Sequence, residues 1–86
     1  MNKTIIYGVE VKRDSLGHWA TLGPNDSIEE ARKAACDWIV ANIEDEAYAA
    51  DLVAMVKEIE VGDELPVDEC EGINGPHHLR IVKQEL

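Results

Sequence analysis

Residues 63–72, Asp-Glu-Leu-Pro-Val-Asp-Glu-Cys-Glu-Gly, hold five carboxylates and no cation. Carboxylates at that density can coordinate a hard cation, exchange protons in a pocket, or present a field to a basic partner. A calcium loop of the EF-hand type needs oxygen ligands at alternate positions around a glycine and a bidentate Glu at its end. The D-x-D-x-D-G pattern is absent. Acid–base catalysis needs two carboxyls held in a pocket with their pKa values pushed apart, and a short chain leaves little volume for one. The third use asks only for exposure and segregation.

Four other residues carry metal or nucleophile chemistry: Cys36, Cys70, His77 and His78. They are the inventory of a zinc site, but no C-x-x-C spaces the thiols, and adjacent histidines on a strand point to opposite faces. Cys36 sits beside Asp37 in the acidic half of the chain, the wrong setting for a thiolate nucleophile. It reads as a packing residue, and both cysteines read as free thiols. The phosphate-cradling G-x-x-x-x-G-K-[ST], the dinucleotide G-x-G-x-x-G and the zinc H-E-x-x-H are all missing. The expectation is a protein that is not an enzyme, with no metal and no cofactor.

The charge is unevenly placed. From Asp37 to Glu71, 35 residues contain twelve acids and one base, Lys57, while the other 51 residues contain six acids and seven bases. The whole net charge of −10 therefore belongs to that central region. Such a field repels nucleic acid and anionic membrane, and it orients basic surfaces over a Debye length of about 8–10 Å. The candidate partner-binding residues are Glu44, Asp45, Glu46, Asp51, Glu58, Glu60, Asp63, Glu64, Asp68, Glu69 and Glu71. The partner they fit is a larger protein with a basic surface, one that handles nucleic acid. Lys3, Lys12, Arg13, Arg80 and Lys83 are interleaved with Glu10, Asp14 and Glu85, and read as a mixed-charge outer face of a sheet rather than a nucleic-acid stripe.

Elements must hold these residues in place. Ile5, Tyr7, Val9 and Val11 alternate with Gly8, Glu10 and Lys12, the pattern of a half-buried strand. Residues 13–17 supply turn chemistry, and His18 to Leu22 read as the returning strand, with the side taken by Trp19 left open by the competing Ala20 and Leu22. Gly23-Pro24 ends that hairpin. Ser27-Ile28-Glu29-Glu30 is a capping box that starts a helix with the stripe Ile28, Ala31, Ala35, Trp38 and Ile39. A second stripe, Tyr48, Leu52, Met55, Val56 and Ile59, marks another helix. One continuous helix would be about 50 Å long, too long for a domain of this size, so a break is placed between Asn42 and Asp45. There Glu44-Asp45-Glu46 suit a helix N-terminus. Leu65-Pro66-Val67 suggest a short edge strand, and His78 to Gln84 a final strand returning to the hairpin.

The expected fold is α+β: a small two-layer single domain, residues 1–86, whose antiparallel sheet of a β-hairpin plus C-terminal strand is covered on one face by two helices, in the order β-β-α-α-(β)-β. With no Phe and nine Ala, its core is built from small pieces. The N-terminus alternates like a strand instead of carrying a secretory apolar run, and no run approaches the roughly 18 apolar residues of a membrane span. The expected location is cytoplasmic.

Two resemblances accompany this reading. The hairpin-to-helix passage Y-G-V-E-V-K-R-D-S-L-G-H-W-A-T-L-G-P-N-D-S-I-E-E-A-R-K-A-A resembles the start of small antitoxins of the HicB kind, without their Pro-Asp-Leu-Pro-Gly segment. It implies an antitoxin-like or accessory dimeric subunit that holds a partner by strand addition, with Ile6 on the first strand offering the edge. In length, acidity and α+β layout the chain is similar to phage-encoded inhibitors of bacterial defence, anti-CRISPR proteins among them. That likeness carries no motif and assigns no residue. It implies a stoichiometric inhibitor that places carboxylates where its target expects phosphates.

Overall fold

The computed structural model describes residues 4–15 and 17–85. Its elements run β1 (Ile5–Arg13), β2 (Trp19–Asn25), α1 (Ile28–Asn42), α2 (Glu46–Val56), β3 (Glu64–Val67) and β4 (His77–Glu85). The strands form one antiparallel sheet in the order β2-β1-β4-β3, and two helices cover one face of it.

Alternation in the strands decides what each face carries. Val9 and Val11 of β1, Leu79 and Ile81 of β4, and Leu65 and Val67 of β3 point to the helices and are buried. Ala31, Ala35 and Ile39 of α1 and Ala49, Leu52 and Val56 of α2 meet them. Fully burying a Val, Leu or Ile side chain stabilises by about 1.5–3 kcal/mol, so this small-residue core rests on its largest buried members, Ile39, Leu52, Leu79 and Ile81. α1 lies across β1 and β2, while α2 reaches β3 at the opposite edge.

The helix ends follow the capping chemistry in the sequence. Ser27 Oγ accepts from the Glu30 amide at 3.2 Å, and Glu30 Oε2 reaches back to the Asp26 amide at 3.0 Å. The break falls at residues 43–45, and Asp45 caps α2 by accepting from the Tyr48 amide at 3.0 Å.

Four details differ from expectation. β2 continues through Gly23-Pro24 to Asn25, carried past them by a register shift between Tyr7 and Val9 and by Asn25 Nδ2 donating to the Tyr7 carbonyl at 3.2 Å. Met55 is 55 % exposed, because α2 turns Leu52 and Val56 inward and leaves the position between them on its outer side. α2 ends at Val56, and Ile59 is buried from the turn that follows. β1 is an interior strand, paired with β2 from Tyr7 to Lys12 and with β4 along its whole length, so the open edges are β2 and β3.

Trp19 takes the outer face. It lies opposite Lys12 in the register, with Lys12 Nζ 5.0 Å and the Arg80 guanidinium carbon 3.8 Å from its ring centroid. Arg80 Nε and Nη2 both donate to Glu10 Oε1, at 2.8 and 2.7 Å. The indole, guanidinium and carboxylate tile the uncovered side of the sheet, where cation–π contact and a charge-assisted hydrogen bond act together.

Candidate interaction surface

All eleven candidate carboxylates are exposed. Glu44 precedes α2, Asp45 caps it, Glu46 and Asp51 are within it, and Glu58 follows its end. Glu60 and Asp63 are in the turn to β3, Glu64 is on β3, and Asp68, Glu69 and Glu71 are in the loop to β4. They are carried by α2, by β3 at one edge of the sheet and by the turns beside them; Glu64 has the outward parity of β3, and Glu71 is joined to Glu44 through the backbone. Within the stretch from Glu44 to Glu71 the one base, Lys57, is exposed beside them.

Local bonds fix the backbone that carries this charge. The Asp68 amide donates to the Tyr48 hydroxyl at 2.7 Å, tying the acidic loop to α2. The Glu44 amide donates to the Glu71 carbonyl at 3.2 Å, and Cys70 and Ile73 exchange hydrogen bonds at 3.4 and 2.9 Å. Asp63 Oδ2 accepts from the Glu60 amide at 3.1 Å, while the Asp63 amide donates to the Glu60 carbonyl at 3.1 Å. From α1, Arg32 Nε and Nη2 donate to the Ile59 carbonyl at 3.0 and 2.7 Å and so pin the turn after α2. Nη2 also lies 3.5 Å from Glu60 Oε1, a carboxylate 72 % exposed and therefore a weak partner.

The eleven carboxylates thus do different work. Asp45 and Asp63 each hold a backbone amide and shape the scaffold, whereas the exposed side chains of Glu64, Asp68, Glu69 and Glu71 make no hydrogen bond or ion pair among the described residues and are available to a partner. Tyr48, considered as an anchor for a partner, is half-buried with its hydroxyl engaged by Asp68.

The metal and nucleophile candidates are dispersed. Cys36 lies on α1 and Cys70 in the β3–β4 loop. His77 faces the helix side, 6.1 Å from Trp38 between centroids, while His78 on the outer side places Nε2 3.0 Å from Asp14 Oδ1. Among the described residues, no three His, Cys, Asp or Glu side chains converge as a metal-binding group. Burial pushes the Cys36 thiol up, Asp37 adds to that and Lys57 opposes it. Cys70 is raised as well, first by desolvation and then by Asp45 and Asp68.

The basic residues read as one outer face divide between two. Lys12 and Arg80 are on it, but Arg13 and Lys83 have the strand parity of the helix side, and Lys3 lies outside the described residues. Arg13 instead lines a cleft with His18, Trp38 and His77. Sequence reading missed that grouping because its members come from three separated segments with no shared motif. Among the described residues, no helix is long and apolar enough to cross a membrane. Comparison with protein families, curated proteins and solved structures finds no match to this chain.

Proposed function

We propose that this protein is a non-catalytic binding protein, cytoplasmic, which offers its acidic α2–β3 side to the Lys/Arg-rich site of a larger nucleic-acid-handling protein and blocks it, as the phage-encoded inhibitors it resembles would. The observation that carries this reading is the gathering of exposed carboxylates on segments cross-braced by Tyr48, Asp63 and Arg32. A fixed array of charge can match a basic groove without the cost of ordering flexible side-chain supports, and it speeds encounter by steering. Nucleic acid would compete for the same groove.

The test is capture from an extract of the native host, at low and high salt, with immobilised wild type and with Glu64, Asp68, Glu69 and Glu71 all changed to Lys. Asp63 is left intact because its carboxylate holds the Glu60 amide. The expected outcome is a specific protein retained by wild type, released by salt or double-stranded DNA, and lost with the reversed chain. A partner retained equally by both chains would sink the acidic-surface reading.

A further inference from the structure

α1 leaves one corner of the sheet uncovered. The helix stops at Asn42, and the chain turns through Ile43 into α2, toward the β3 edge. Ala20, opposite Val11 in the register and so on the helix side of β2, is left exposed, and Leu22 beside it is only half-buried. The β3–β4 loop walls off the other side, with Gly72 pressed against the Asn42 carbonyl. Between them is a cleft of about 390 Å³, within the range of small-molecule sites.

Its floor is apolar, formed by Val11, Leu22, Ile73 and the half-buried Trp38. His77 stands against Trp38 with its ring tilted by 47°. The His77 Nδ1 is 2.9 Å from the Gly75 carbonyl, which can only accept, so that nitrogen carries a hydrogen and the ring is held in place. Arg13 and His18, from the two ends of the hairpin turn, form the polar rim on the sheet side. Across the cleft lies the C-terminal end of α1, where the unpaired carbonyls of a helix disfavour negative charge. In a chain with 18 acids and a net charge of −10, this cleft has no carboxylate side chain among the described residues that line it.

We infer that the cleft is a binding site for a small planar aromatic anion. The ring packs on Trp38 within the angle made by Trp38 and His77, and the anionic group points to Arg13 and His18, away from the helix end. Stacking supplies shape selection and the guanidinium supplies charge selection. A carboxylate and a phosphate both meet these requirements.

The full chain, labelled with nitrogen-15, is titrated with 1-naphthoate, 1-naphthyl phosphate, the uncharged 1-naphthalenemethanol, and the ringless acetate and inorganic phosphate. Saturable amide shifts are expected at Arg13, His18, Trp38, Ile73 and His77 with the two aromatic anions, the tighter of which identifies the anionic group. The uncharged compound should bind about tenfold more weakly, as befits the loss of a charge-assisted hydrogen bond, and the ringless anions should leave these amides unmoved. Arg13→Gln should weaken the aromatic anions about tenfold and leave the uncharged compound unaffected. Ala20→Trp, which fills the open corner, should abolish binding while the spectrum stays dispersed; if that variant does not fold, Arg13→Gln decides. Shifts confined to other surfaces, no saturable shift at low-millimolar ligand, or equal binding of the charged and uncharged compounds would each overturn the assignment. The acidic-surface variant, Glu64, Asp68, Glu69 and Glu71 to Lys, should still show saturable shifts at the same amides, with the aromatic anions bound no more weakly than by wild type.

Discussion

Gly72 has φ of 94° and sits where the acidic loop meets the end of α1. A side chain there would be strained in its backbone and would collide with the Asn42 carbonyl oxygen, a backbone atom that cannot swing aside. Gly72→Ala should cost about 2–4 kcal/mol, read as a lowered urea midpoint, since a strained backbone and a collision with a fixed backbone atom act together at this site. Unchanged stability would mean the loop is not seated on α1 as described. At the same scale, both thiols are raised above their ordinary value of 9.0. Their alkylation by iodoacetamide should therefore be slower than that of glutathione from neutral pH up to 9, with the profile displaced to higher pH. The linkage has a definite sign: the folded chain holds these protons more tightly, so the contribution is full below the unfolded pKa and is lost as pH rises through the folded one. Wild type should lose ground to Cys36→Ala in urea denaturation as pH is raised above 9. Rates matching glutathione would place the thiols in open water.

At the scale of elements, α2 and the turn after it are held to the rest by few bonds, of which the two from Arg32 to the Ile59 carbonyl are the strongest in kind. A charged donor on a part-buried carbonyl is worth about 1.5–3 kcal/mol. Arg32→Ala should lower stability by that order, and Arg32→Lys should recover part of it, measured by thermal or urea unfolding; no change in either variant would move the brace elsewhere. Much of this level was legible in the sequence. The capping box at Ser27, the break after Asn42 and the alternation in β1 and β4 are local signals, and each matches its element. What was not legible depends on partners far along the chain. β2 runs past Gly23-Pro24 because Asn25 reaches Tyr7, and Met55 turns outward because α2 is oriented by β3, neither of which is encoded within a helical or strand window.

For the whole molecule, the sheet and the two helices on it set the shape. The body measures about 47 × 26 × 18 Å, a flat slab with helices on one broad side and the Trp19–Arg80–Glu10 tiling on the other. The eleven candidate carboxylates are on α2, β3 and the turns beside them, and the cleft opens near the hairpin. The acidic segment of the candidate site was legible because composition alone marks it. The different roles within it were not, since only coordinates separate Asp45 and Asp63, which hold amides, from Glu64 and Asp68 to Glu71. The cleft was hidden for a related reason: Arg13, Trp38 and His77 become neighbours only when the sheet closes. The two expected binding results rest on different side chains, since Glu64, Asp68, Glu69 and Glu71 are not among the residues that line the cleft.

The pairing of β1 with β4 has one more consequence. Ile5 stands directly opposite Glu85, and neighbouring antiparallel strands run about 5 Å apart, so the chain enters and leaves this body at almost the same point. A larger polypeptide could carry it as a guest between two adjacent residues of an exposed loop, with both junctions emerging together and neither broad side obstructed.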